Sequence, residues 1–353
     1  MLQNHFMKKT LALVIIIYSH VSFLHACTTF FINKNGQMVF GRNYDWVTDA
    51  GMVCTNLRGL SKTSMKTENG ETISWVSKFG SITFNQYGKE FPTGGMNEKG
   101  LVVELMWLDE TRYPANDSRP AVGVLQWIQY QLDNCSTIDE VIASDKKIRI
   151  SPTGTTPLHY LVADANGNAA TIEFLNGKMV VHKGNDLSLP VLTNNIYEES
   201  VRAYNNSASY GNNSLERFNE ACKMVQQLNA VNTTKPVIDY AFDILNEVAQ
   251  GDFTKWSIVY DLTNKTIQFK TDRFQQIKTI SFSSFDLNCS STAKVWDMNQ
   301  AGTGKIDNLF ENFTTDINKR IVETAAKEAE DRLAISPQNR ERLWQYASGI
   351  KCQ

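Results

Sequence analysis

Asn35-Gly36 stands between two β-prone runs, Thr28 to Asn33 and Met38 to Gly41. An Asn-Gly pair in this setting supplies the two positive φ angles of a type I′ turn and predicts a two-residue hairpin. Such a turn also sets the register of everything before and after it. Positions pair symmetrically about the Asn35–Gly36 bond, which places Cys27 opposite roughly Tyr44. Arg42 and Asp45 are therefore expected close to Cys27 from the turn alone.

What precedes Cys27 gives that neighbourhood its interest. Lys8 and Lys9 lead into an apolar run from Leu11 to Leu24, broken only by Tyr18, Ser19, His20 and Ser22, and then His25 and Ala26. A basic start, an apolar stretch too short to span a membrane and a small residue at the end describe a secretory signal peptide. Cleavage after Ala26 makes Cys27 the first residue. The expected organisation is a signal peptide over 1–26, a main domain opening on Cys27 over 27–305 and a helical C-terminal extension over 306–353. The mature chain is expected to be exported, periplasmic or extracellular. Leu24-His25-Ala26-Cys27 also has the look of a lipobox, whose cysteine sulfur is acylated. That alternative is an outer-surface lipoprotein, a lipid-anchored binding protein without catalysis, because an acylated sulfur is no nucleophile.

A formal net charge of -2 over 353 residues offers no electrostatic footprint for nucleic acid. No second apolar run approaches the length of a membrane span, so no membrane insertion of the mature chain is expected. Past Cys27 the only histidines are His159 and His182, too few to suggest a zinc site, and each falls in an expected strand. Gly302-Thr303-Gly304-Lys305 lacks the remaining glycine and hydroxyl of a P-loop. No metal or cofactor is implied.

A thiol nucleophile needs a base. A free α-amine on Cys27 would provide one, since its pKa near 8 lies close to that of a thiol at about 8.5. Arg42 would favour the thiolate and Asp45 would orient the amine. The competing reading makes Arg42 and Asp45 an ion pair on the surface at a strand end. On the catalytic reading, Arg42→Ala and Asp45→Ala impair acylation with little loss of stability.

Further along, strands are expected at Thr72 to Val76, Ser81 to Phe84, Gly100 to Leu108, Leu158 to Ala163, Ala170 to Phe174 and Met179 to His182. A hairpin, Trp256 to Leu262 with Thr266 to Lys270, and a strand from Ile277 to Phe282 follow. Helical spacing marks Ala121 to Asn134, Leu215 to Leu228 and Val237 to Ala249. Strands in hairpin order with helices grouped between them give an α+β layered fold. In the extension, Leu309, Phe313, Ile317 and Ile321 show the spacing of a packing face, suited to a docking arm or a homo-oligomer contact.

The blocks Cys27-Thr28, Gly41-Arg42-Asn43-Tyr44-Asp45, Gly95-Met96-Asn97-Glu98-Lys99-Gly100-Leu101, Leu192-Thr193-Asn194 and Arg217-Phe218 together resemble the choloylglycine hydrolases. These are the bile salt hydrolases and penicillin V acylases of the N-terminal nucleophile superfamily. The likeness runs in order from Cys27 to about Met298. It implies a four-layer αββα sandwich and hydrolysis of a linear amide in a small N-acyl compound. Cys27 would attack the amide carbon, Asn194 would donate to the oxyanion, and Arg217 would sit in the same site. After the glycine-rich block this chain carries Met106-Trp107 where bile salt hydrolases have an Asn and penicillin V acylases usually a Tyr. Met106 and Trp107 are thus expected beside the acyl group, the indole as an apolar wall; alternatively Trp107 faces the core between sheet and helix.

Overall fold

The computed structural model describes residues 27–206, 213–230 and 234–353; the expected signal peptide and lipobox residues up to Ala26 lie outside these. Asn35 and Gly36 have φ of 53° and 81°, the left-handed pair the turn requires. The flanking strands are β1, Thr28–Lys34, and β2, Gln37–Asp45. They pair from Lys34 with Gln37 out to Thr28 with Asn43, the register set by the turn.

Among the described residues two large sheets form an α+β structure. One runs Val191–Leu192, β1, β2, Thr254–Asp261, Thr266–Thr271, Lys278–Ser281 and Gly304–Lys305. The other runs Lys178–Lys183, Ala169–Leu175, Leu158–Ala163, Val102–Trp107, Pro92–Asn97, Ser81–Asn85, Met52–Asn56, Lys294–Asp297 and Glu311–Asn312. Side chains alternate across β2, so Phe40, Arg42 and Tyr44 share a face with Ile258 and Tyr260 of the neighbouring strand. That face packs on the second sheet: Phe84 meets Tyr260 and Phe269 edge-on at 6.1 and 5.6 Å between ring centroids.

The helices are α1 (Val124–Asn134), α2 (Ile138–Ser144), α3 (Tyr197–Asn205), α4 (Asn213–Ala230), α5 (Val237–Glu247), α6 (Thr315–Glu328) and α7 (Pro337–Gln345). On the outer face of the first sheet lie α4 and α5, where Asn43 of β2 donates to the Leu245 carbonyl at 2.7 Å. Trp127, Ile128 and Leu132 of α1 pack on Val103, Tyr160 and Ile172 of the second sheet. Beside them, Ile321 of α6 buries against Met52, Cys54 and Val295, joined by Phe313 and Ile317. Leu309, grouped with these residues from spacing, is instead 47% exposed, because it sits in a separate short turn before Thr314 caps α6. The last strand, Lys351–Cys352, pairs with Leu60–Thr63, and a disulfide joins Cys289 to Cys352.

Two expectations shift for local reasons. The helix expected from Ala121 begins at Val124, since extended Gly123 ends a short parallel strand, Ala121–Val122. The strand Pro92–Asn97 has poor β propensity in its own residues. Its Gly94 is required by its partner: a Cβ there would land on the carboxylate of Glu104 across the sheet.

Candidate active site

Cys27 ends the described chain at the edge of β1 and faces a cavity of roughly 640 Å³ including its open mouth. Its walls are mostly apolar: Trp46, Leu105, Trp107, Val124, Leu125, Leu158 and Leu333, with Tyr44, Asp45, Tyr87, Thr93 and Thr156. Cys27 is buried, its sulfur 3.9 Å from the Asp45 carbonyl oxygen. Burial pushes the thiol up, and the charge of Arg42 pulls against it.

Arg217 reaches this edge from α4. Its Nη1 donates to the Cys27 carbonyl at 2.5 Å and to Thr28 Oγ1 at 2.6 Å. Its Nη2 donates to Asn194 Oδ1 at 3.0 Å, and Asn194 Nδ2 donates in turn to the Trp107 carbonyl at 2.9 Å. Cys27, Arg217, Asn194 and Trp107 therefore form one connected chain, although they come from four separate parts of the sequence. Arg217 fixes the oxygen of Asn194, and that fixes which way its amide N–H groups point.

Asp45 lies on the same side. Its Oδ1 accepts from Thr254 Oγ1 at 2.5 Å, and its buried Oδ2 has no hydrogen-bond partner among the described residues. Burial lifts this carboxyl to about 7, against the opposing pulls of Arg217, Thr254 and Arg42. A buried, half-satisfied carboxylate is costly unless a donor comes to it.

Arg42 and Asp45 are not a surface ion pair: both are buried, and they do not pair with each other. Arg42 pairs with Glu104 between the two sheets, donates to the carbonyls of Thr93 at 3.1 Å and Leu105 at 3.3 Å, and lies 4.6 Å over the Tyr44 ring. Glu104 also accepts from the Tyr260 hydroxyl. Sequence reasoning missed Glu104, yet Val102-Val103-Glu104-Leu105-Met106 carries its signal. A lone carboxylate in an apolar strand must find a cation when buried.

Trp107 and Trp46 stack at 6.3 Å and line the cavity together, with the Trp107 indole N–H turned to Asp109 Oδ1 at 2.6 Å. Met106, expected at the acyl group, points the other way along the alternating strand and is fully buried between the sheets. Its sulfur accepts from Thr29 Oγ1 at 3.4 Å. His159 is bonded to Glu173 and the Thr193 carbonyl, and His182 to Thr171, so neither ring hydrogen-bonds the Cys27 thiol. The glycine-rich block is structural. Asn97 donates to the carbonyls of Leu132 and Cys135 at the end of α1, and Gly100 makes the following turn at φ 86°. Among the described residues no group of three His, Cys, Asp or Glu is placed to hold a metal.

The linear amide C-N hydrolases, choloylglycine hydrolase family, match this chain over residues 27–208. The chain belongs to that family. The match opens on Cys27 and covers β1, β2 and the cavity strands. A penicillin V acylase from Pectobacterium atrosepticum is 31% identical over 190 residues, 48% of this chain and 49% of the relative, so the match spans about half of that protein's length. The structure of penicillin V acylase from Agrobacterium tumefaciens superposes with a TM-score of 0.70 at 25% identity, covering 82% of this chain and 98% of that one. A conjugated bile acid hydrolase from Clostridium perfringens shares the fold at 18% identity, with a TM-score of 0.65 over 79% of this chain and 98% of its own. The matched region includes Cys27, Arg42, Asp45, Trp107 and Asn194, while Arg217 lies just beyond its end.

Proposed function

We propose that this chain is an exported N-terminal-nucleophile amidase, cut after Ala26, that hydrolyses an N-acyl amide with an apolar acyl group. The observation that carries the reading is the Cys27 thiol at the end of an apolar cavity, beside a buried carboxylate with one oxygen unsatisfied among the described residues. A free α-amine on Cys27 would supply through its N–H the donor that Asp45 Oδ2 lacks among the described residues. The two sheets packed face to face, with α4 and α5 on one side and α1 and α6 on the other, support the four-layer αββα arrangement with a C-terminal helical extension. The Cys289–Cys352 disulfide favours an oxidising compartment, as export provides. No helix among the described residues is long and apolar enough to cross a membrane.

In this mechanism the α-amine takes the thiol proton and the thiolate attacks the amide carbon. The negative charge that builds on the carbonyl oxygen is met by Asn194 Nδ2, whose orientation Arg217 holds. A donor so placed is worth about 3 kcal/mol of barrier. Collapse expels the amine, which takes the proton, and leaves a thioester on Cys27. Water, deprotonated by the same α-amine, then releases the acid and restores the thiol. Arg42, locked by Glu104, steadies the thiolate from behind.

Stacked Trp46 and Trp107 make the acyl wall flat and apolar. A hydroxylated steroid facing them would lose hydration without replacement, so aromatic or aliphatic acyl groups are favoured over bile acids. The test compares kcat/KM for a phenoxyacetyl or fatty-acyl amide with that for a glycine-conjugated bile salt, in wild type and Trp107→Asn, alongside the intact mass of the mature protein. Preference for the apolar acyl group, reduced in the variant, with a mass starting at unmodified Cys27, agrees with the proposal. A bile salt preference refutes the substrate assignment, and a lipidated Cys27 leaves the lipid-anchored binding protein.

A further inference from the structure

We propose that the connection between α6 and α7 is the end wall of the acyl pocket, and that Leu333 sets the length of acyl chain the enzyme accepts. This rests on the amidase reading of the cavity above. Leu333 lines the same cavity as Cys27, and like Leu125 it packs against the buried cluster of Ala50, Tyr87 and Ala325; Tyr87 and Leu125 also line the cavity. Tyr87 is held by the Trp46 indole N–H at 2.9 Å, so the wall leads directly to the tryptophan pair. The family match ends at residue 208, well short of Leu333, so this part of the pocket comes from outside the matched region.

The wall is built to stay in place. The N–H groups of Arg332 and Leu333 both donate to the Ala329 carbonyl, at 2.9 and 2.8 Å, closing a turn at the end of α6. Buried Asn318 fixes α6 from both sides. Its Oδ1 accepts from the Lys89 N–H at 3.0 Å and its Nδ2 donates to the Trp344 carbonyl of α7 at 2.8 Å. Beyond α7, the strand Lys351–Cys352 and the disulfide to Cys289 pin the end of the segment. A second, wider hollow shares Val124, Leu125 and Thr156 with the acyl cavity and is bounded by Leu343 of α7. Shortening Leu333 therefore lengthens the acyl cavity at this end, making room for extra methylenes. Enlarging it closes the end of the cavity.

The experiment uses the mature chain with Cys27→Ala, so that binding is read without turnover. Straight-chain carboxylates from butyrate to dodecanoate are titrated by calorimetry into this protein and into its Leu333→Ala and Leu333→Phe derivatives, with Leu333→Met as a near-isosteric control. The same substitutions in the active enzyme are assayed for kcat/KM on amides of the same acids. Leu333→Ala should extend the optimum by about one or two methylenes and Leu333→Phe should shorten it. Each methylene gained or lost changes the preference by about tenfold or more. Leu333→Met should keep the wild-type profile. An unchanged chain-length profile in both Leu333→Ala and Leu333→Phe overturns the wall. A shifted binding profile with no turnover of any amide by the active chain supports the wall and sinks the amidase reading instead.

Discussion

Arg42→Ala should unfold the protein more readily as well as silence it, against the expectation of a purely catalytic residue. Arg42 and Glu104 are both fully buried and pair directly. Without the guanidinium, the Glu104 carboxylate keeps only the Tyr260 hydroxyl as a donor among the described residues. Removing one partner of such a buried pair costs about 3–5 kcal/mol, a fall in melting temperature on the order of 10 °C. The carbonyls of Thr93 and Leu105 lose donors at the same time. Replacing both charges, in Arg42→Met with Glu104→Gln, removes the uncompensated carboxylate and should recover most of that stability while leaving kcat/KM depressed. Urea denaturation of the two variants, with kcat/KM measured on the same preparations, separates the packing role from the catalytic one. If Arg42→Ala unfolds within about 1 kcal/mol of wild type, the ion pair does not hold the sheets together and the reasoning fails.

Gly94→Ala places a methyl group on the Glu104 carboxylate. It should cost about 1–3 kcal/mol of stability and also lower kcat/KM by displacing Arg42, whereas wild-type values on both measures would contradict the packing described. Asp45, lifted to about 7 by burial in the chain before processing, binds in the folded state a proton that it loses on unfolding. Its contribution to stability is therefore full below the unfolded value of 3.8 and is lost as pH rises through about 7. Asp45→Asn in the unprocessed chain should flatten that fall in a pH series of thermal melts, and an unaltered curve would rule the group out. Cys352→Ser opens a loop with a sequence separation of 63 residues and should lower stability by about 4 kcal/mol, read by denaturation with and without reductant.

The hairpin was legible to the residue because Asn35-Gly36 leaves the backbone one low-energy way to turn, and the neighbours of Cys27 follow from counting. The strand Leu158–Ala163 and the helix starting at Val237 were legible from periodicity for the same local reason. Strands Met52–Asn56 and Pro92–Asn97 were not. Both lie inside a sheet where burial comes from partners far away in the chain, and Gly94 is placed for the sake of Glu104 rather than for its own strand. In the site, Arg42 was found but its partner was not. The hairpin fixes where Arg42 starts, while its direction into the space between the sheets depends on strands that sequence spacing does not align. Met106 shows the same limit in reverse. It is adjacent to Trp107 in sequence, but alternation sends the two side chains to opposite faces.

Cys27 and Leu333 meet across one cavity although almost the entire chain separates them. During synthesis the thiol therefore emerges first and the opposite side of the cavity nearly last. Until then the hollow beside the thiol lacks Leu333 on its far side. The cavity is thus complete only once the chain beyond α6 has been made and has docked. Nonsense or frameshift products that end before α6 would carry the thiol without a closed pocket for it to serve.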